Sequence, residues 1–224
     1  MSDTDGFIEE VSEEVRRDRL FGYMRRYGWI AVVAIFALVG GAAWNEWNKA
    51  KATAKAQTAG DAILAALEAD EPSARITALE AIQTQDISQG AKAVVALMQA
   101  AEQGADDNPA GAQAALEKIA TDGSLPEIYR QIASFKAASR SDGDLSTAER
   151  RIRLEALSAP GTALRLLATE QLALLDIEAG DTDAALIKLQ SMIVDAEVTA
   201  GLRQRATQLI IALGGEPETL AGQG

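Results

Sequence analysis

From Tyr27 to Asn45 the chain carries no charged side chain. A helix rises roughly 1.5 Å per residue, so about 19 residues cover about 28 Å, close to one hydrocarbon core. Tyr23, Tyr27 and Trp29 stand at one end of this stretch and Trp44 and Trp47 at the other, as two interfacial aromatic belts would. Arg25 and Arg26 flank the first end, and Lys49, Lys51 and Lys55 follow the second. The pattern predicts a single transmembrane helix over 27–47, an N-terminal arm over 1–26 and a large domain over 48–224.

Gly41 and Ala43 offer the small-x-small pattern of a signal-peptidase site. The segment ahead of the apolar run, however, is long and net acidic, and the run itself exceeds the usual signal length, which favours a retained anchor over a cleaved signal. Arg16, Arg17, Arg19, Arg25 and Arg26 lie on the short side, and basic residues near a membrane end favour the cytoplasm. The expectation is therefore a single-pass protein of a bacterial inner membrane, with its N-terminus cytoplasmic and its C-terminal domain periplasmic. Ala37 and Gly41 share a helix face and would permit close helix packing. In the arm, Ile8, Val11 and Val15 recur at helical spacing, and Glu13 stands four residues ahead of Arg17; this reads as a solvated helix or a docking helix.

The composition of the large domain sets its class. Of the ten aromatic residues, only Tyr129 and Phe135 fall beyond residue 47, so its core has to come from Ala, Leu, Ile and Val. Small and straight-chain apolar residues favour closely approaching helices over sheets, and the fold class is all-α. The chain has neither Cys nor His, which excludes thiol nucleophiles, disulfides, zinc–thiolate sites and any His-based triad. Residues 48–224 carry 16 basic against 25 acidic side chains and no basic stripe, a poor surface for nucleic acid.

Periodicity and punctuation predict helices near 47–69, 72–84, 88–103, 109–121, 126–140, 146–158, 161–179, 182–195 and 198–213. Pro72, Pro109, Pro126 and Pro160 each precede an apolar-periodic run, where first-turn prolines are tolerated. Ser146 to Glu149 forms a capping box, and Gly180-Asp181 a turn and cap ahead of Ala184 to Met192. The string Ala114-Ala115-Leu116-Glu117-Lys118-Ile119 is echoed by Ala184-Ala185-Leu186-Ile187-Lys188-Leu189 seventy positions later. Two units of about 35 residues point to degenerate tetratricopeptide-like helix pairs stacked into an α-solenoid. Leu172-Ala173 with Gly180 to Leu186 is the clearest unit, and Ala185 is expected at a helix crossing. The stretch from Tyr129 to Leu157 fits worst, because its second helix carries Arg150, Arg151 and Arg153. An irregular helical bundle is the alternative.

Asp142-x-Asp144-x-Ser146 imitates the start of a calcium loop, but Thr147 stands where Gly is required and Arg153 where a bidentate Glu belongs. No phosphate-cradling loop, nucleophile elbow or Ser-x-x-Lys pair is present. The carboxylates lack the aromatic setting that would raise a pKa for acid catalysis. No catalytic, cofactor-binding or metal-ligating residue is identified, and the expectation is a protein without enzymatic activity.

The anchor exit Trp44-Asn45-Glu46-Trp47-Asn48, the unit from Leu172-Ala173 to Ala184-Ala185-Leu186, and the closing Leu202-Arg203-x-x-Ala206 together resemble the YfgM family, ancillary subunits of the bacterial Sec translocon. The resemblance covers nearly the whole chain. It implies a non-enzymatic, membrane-anchored adaptor whose partners are Sec translocon subunits and a membrane-anchored periplasmic chaperone. It assigns no binding residues. A periplasmic assembly scaffold for envelope or cytochrome complexes is the runner-up, and a single-pass regulator signalling through residues 1–20 the third reading.

Overall fold

The computed structural model describes the backbone of residues 3–217; the side chains of residues 3–24, 27 and 31 are outside the description. The arm's Ile8, Val11 and Val15, its Glu13–Arg17 pair, the arginines at 16, 17 and 19, and Tyr23 and Tyr27 of the first belt therefore lie outside the described side chains. Among the described residues the secondary structure is nine α-helices and no strand. The first, α1 (Asp3–Leu67), runs without a break through both the apolar stretch and the helix predicted near 47–69. The first proline of the chain is Pro72, and the run from residue 42 to 67 is rich in Ala, so nothing in the sequence interrupts the helix.

The chain divides into two units, one up to Lys55 and one from Ala56 onward. Within the first, the helix from Gly28 on is long and apolar enough to cross a membrane, and none of its apolar window is buried. Phe36, Leu38 and Val39 are 73%, 74% and 61% exposed, a degree that water would not tolerate for a contiguous row of large apolar groups. Gly40 and Gly41 have open space around them. At the far end Trp44 and Trp47 lie with ring centroids 5.6 Å apart, and the Lys51 ammonium sits 3.7 Å above the Trp47 ring. That is a cation–π contact.

In the second unit, α2 (Pro72–Gln83), α3 (Gln89–Ala105), α4 (Pro109–Thr121), α5 (Glu127–Ser139), α6 (Thr147–Leu157), α7 (Arg165–Glu178), α8 (Thr182–Ile193) and α9 (Ala200–Ala212) follow the end of α1. Two of the caps, Ser146 and Asp181, are those the sequence announces. Asn108, Ser146 and Asp181 accept from the N–H three residues on, and Ser146 with Glu149 completes a reciprocal capping box. Gly180 adopts φ +78°, the left-handed turn that only glycine takes without strain. Two prolines behave differently from expectation. Pro126 is the cap residue of α5 and not its first helical residue. Pro160 starts no helix: Gly161 turns left-handed behind it at φ +86°, the Thr162 hydroxyl bonds back to the Leu157 and Ala159 carbonyls, and α7 begins only at Arg165.

Each helix from α2 to α9 packs chiefly on its neighbours in the chain. The core is accordingly divided into four clusters. Ala66, Leu79, Ile82 and Val95 form the first; Ala93, Leu116, Ile119 and Ala133 belong to the second; Ala138, Leu154 and Leu172 to the third; Ala185, Leu189, Leu202 and Ile210 to the fourth. Counting from the caps Glu71, Asn108, Ser146 and Asp181, the residue eight places on is Leu79, Leu116, Leu154 and Leu189, and eleven places on is Ile82, Ile119, Leu157 and Met192. All eight are buried. The caps are 37, 38 and 35 residues apart, and the alternate caps of α4 and α8 are separated by 73.

This spacing corrects the sequence alignment of the two Ala-Ala-Leu strings. At a separation of seventy, fully buried Ala185 falls opposite partly exposed Ala115. At 73, Ala112 and Ala185 coincide, both at 0% exposure, as do Leu116 with Leu189 and Ile119 with Met192. The strings match as letters but occupy faces rotated by three residues, about 60° around a helix of 3.6 residues per turn. The rest follows the same shift: Ala93 and Ala168 are equivalent at 75, and Ala133 and Ala206 at 73, all with no exposure. Helices α2–α5 and α6–α9 therefore present the same buried pattern twice.

Candidate functional site

The position four residues after each even-numbered cap alternates: Arg75, Ala112, Arg150, Ala185. Where it is Ala, the helix meets its neighbours closely. Where it is Arg, the guanidinium reaches the end of the preceding helix. Arg75 donates to the Ala69 and Asp70 carbonyls just beyond α1, and Arg150 donates to the Ala138 carbonyl in the last turn of α5. Both also pair with a carboxylate of the following helix, Arg75 with Glu102 at 2.7 Å and Arg150 with Glu178 at 3.3 Å. A cation there satisfies carbonyls that a helix end leaves unpaired and complements its dipole. The arginines that made the Tyr129–Leu157 stretch look irregular thus repeat a device used at α2.

The two halves differ in what lies next to these arginines. In the second half Asp176 of α7 is 3% exposed and receives Arg151 of α6 at 2.8 Å and Lys188 of α8 at 2.6 Å. One buried carboxylate thereby ties three consecutive helices. Burial pushes the Asp176 carboxyl up, but the hydrogen bonds and charges of Lys188 and Arg151 outweigh it and hold its pKa below the ordinary 3.8. Arg205 of α9 forks onto buried Glu170 of α7, with both bonds at 2.8 Å, and Arg165 clasps Asp195 and Glu197 between α8 and α9. In the first half the positions equivalent to Arg151, Asp176 and Lys188 hold Ile76, Ala101 and Ala115. None of these can form an ion pair; Ile76 and Ala115 line an open groove, whereas Ala101 is exposed outside it.

The groove has a volume of about 730 Å³, with α3 between α2 and α4. Ile76, Glu80 and Gln83 of α2 form one wall; Gly111, Ala114, Ala115 and Lys118 of α4 form the other. Lys92, Ala96, Gln99 and Gln103 run along α3 at helical spacing. The Gln83 amide donates to the Gln99 carbonyl at 2.7 Å across α2 and α3, so each keeps hydrogen-bonding capacity for a further partner. The Gln103 Oε1 is buried and has no partner. Charge along the groove is balanced, with Glu80 and Asp122 set against Lys92 and Lys118, and no aromatic side chain lines it.

Sequence reasoning named no binding residue and missed these amides. The available signal was the same-face run of polar residues at 92, 99 and 103 on α3. The false calcium motif dissolves into local structure: Asp142 accepts from Arg140 at 2.7 Å, and Ser146 caps α6. Comparison of the chain with protein-family models, with characterised proteins and with solved structures gave no match.

Proposed function

We propose that this protein is a membrane-anchored, non-enzymatic adaptor that works by binding other proteins, of the YfgM type. In this reading residues 1–26 are cytoplasmic, 27–47 cross a bacterial inner membrane, and 48–224 form a periplasmic α-solenoid of degenerate tetratricopeptide-like helix pairs. Its partners are Sec translocon subunits and a membrane-anchored periplasmic chaperone. The observation that carries the reading is the open, amide-lined groove of α2–α4 in a helical array whose other half is tied shut by ion pairs. The recurring caps and neighbour-on-neighbour packing support the repeat assignment, since such arrays offer extended surface to another chain. The apolar, unburied stretch from Gly28 supports the anchor. Confinement to the membrane raises the effective concentration of the domain toward membrane partners.

The test is crosslinking in intact membranes through a C-terminal tag, followed by recovery in detergent. Translocon subunits and a periplasmic chaperone are the expected partners, with recovery falling sharply when the anchor is removed. Failure to recover either after crosslinking sinks the adaptor reading; recovery of envelope or cytochrome assembly factors instead would install the scaffold reading. Protease added to spheroplasts should digest the large domain, and full protection there would reverse the topology.

A further inference from the structure

We infer that Trp44, Trp47, Asn48 and Lys51 of α1 form a seat for one anionic phospholipid headgroup, a site that rests on the membrane-anchor reading above and gives the anchor a lipid preference. Successive members stand one to four positions apart, so at about 100° per residue all four share a sector of about 100° on the helix. All are exposed. The Trp44 and Trp47 rings lie 5.6 Å apart between centroids and are tilted by 59°, a pairing that fixes the Trp47 ring. Lys51 lays its ammonium 3.7 Å above that ring. The ring takes one side of the cation, and since an ammonium has three donors, N–H groups remain for an anion on the other side. The Asn48 carboxamide, on the same sector, adds a second donor.

The chemistry of the occupant follows from what surrounds the seat. Glu46, the acidic residue nearest to Lys51 in sequence, stands about 140° round the helix and belongs to another face, so the seat keeps its positive charge. On its N-terminal side the seat continues into the exposed apolar row that includes Phe36, Leu38 and Val39. An occupant that meets both is amphiphilic, a phosphate tied to acyl chains and not a soluble anion. From Trp47 to Lys51 the helix rises about 6 Å, which matches the roughly 5–8 Å that headgroups add on each side of a hydrocarbon core. A zwitterionic lipid brings its own cation, which finds the Trp47 face taken and is repelled by Lys51. A headgroup whose phosphate has no compensating amine meets neither obstacle.

The experiment reconstitutes the full chain, in a Trp29→Phe background, into phosphatidylcholine vesicles doped with brominated phosphatidylglycerol or, in parallel, with brominated phosphatidylcholine at equal mole fraction. Tryptophan quenching then reports which lipid sits against Trp44 and Trp47. The anionic lipid should associate about fivefold more strongly, the effect of about one lysine close to a headgroup. Lys51→Ala should bring that ratio to about one. Lys49→Ala removes the same charge about 160° away on the helix and should leave the ratio within about 1.5-fold of the parent. Trp47→Leu, read through Trp44, should lower the ratio to about twofold, because the ammonium loses the ring that positions it. Equal quenching by the two lipids overturns the inference, as does an equal loss in Lys49→Ala and Lys51→Ala, which would show general surface charge only. Suppression of the preference by soluble glycerol phosphate also overturns it, by showing a site for phosphate and not for lipid. Flotation of the same vesicles after an alkaline wash keeps the two ideas apart. Protein that floats without a lipid preference sinks the seat and leaves the anchor; protein that washes off sinks both.

Discussion

Helices α2–α5 and α6–α9 are built on one buried pattern and finished differently on the surface. Both halves bury Leu eight residues after a cap, both use an Arg to close the end of the preceding helix, and both place Ala where helices cross. In the second half α6, α7 and α8 are joined through Arg151–Asp176–Lys188 and the flanks by Arg205–Glu170 and Arg165–Asp195. In the first half the equivalents of Glu170 and Arg205 are Val95 and Ile132, and those of Arg151, Asp176 and Lys188 are Ile76, Ala101 and Ala115, so neither tie is made. The comparison separates scaffold from site. What recurs is what the fold needs, and what is replaced marks where one half is free to meet something else.

The largest expected effect tests the tie itself. Asp176→Ala removes the shared carboxylate and leaves two cations facing each other over a buried position. Both are about a third exposed and can swing toward water, so the loss should be about 2–3 kcal/mol, below that of a fully buried pair. The equivalent Ala101→Gly in the first half should cost only about 1 kcal/mol, as glycine in a helix interior does. Comparable losses, measured by chemical denaturation, would break the contrast.

Next is the crossing alanine. Ala185→Leu and Ala112→Leu should each destabilise by about 1–3 kcal/mol, because both sites are fully buried and a larger side chain has to move a helix. Ala115→Leu, at the place the string match would have chosen, should be nearly neutral. An unchanged melting temperature for Ala112→Leu would mean that the 73-residue equivalence is wrong.

Acid gives a smaller effect with a definite sign. The Asp176 carboxyl titrates below its ordinary value of 3.8 in the folded protein, so its stabilisation is complete above that value and is lost as pH falls through the lower folded one. Amide exchange in α6–α8 should rise in acid before that in α2–α4 does, and Asp176→Asn should flatten the difference. Smallest is the cap: Ser146→Ala should cost about 1 kcal/mol, read as increased exchange confined to the first turn of α6.

Much of the architecture was legible from local chemistry. The caps, the Gly180 turn and the bounds of α2, α4 and α8 follow from residues within a few positions of one another, and such signals survive in a single sequence. The apolar run before Asn45 was legible for the same reason. Pro160 misled because a proline before a glycine makes a turn as readily as a first helical residue, and only the Thr162 bonds decide between them. The repeat was half-read. Alanine-rich helices offer many chance matches, and the string at seventy obscured the buried leucines that define the phase. The groove was the least legible feature, because its lining residues are brought together mainly from three helices and lie far apart in the sequence.

The end of the array has a mechanical consequence. After α9 the chain turns at Gly214 and lays Gly215 against the Leu186 and Ile210 side chains, so close that an added Cβ would sit 2.9 Å from Leu186, while the Gln190 amide donates to the Glu216 carbonyl at 2.7 Å. Because every helix leans mainly on its sequence neighbours, a pull on the C-terminus loads one interface at a time, and this short strap is the first to bear it. Once it slips, α9 is held by its own cluster and its arginine pairs, and the next strong point inward is the carboxylate shared by α6, α7 and α8. Under tension from its C-terminal end, the second unit would yield from its tail in steps and leave α2–α4 for last.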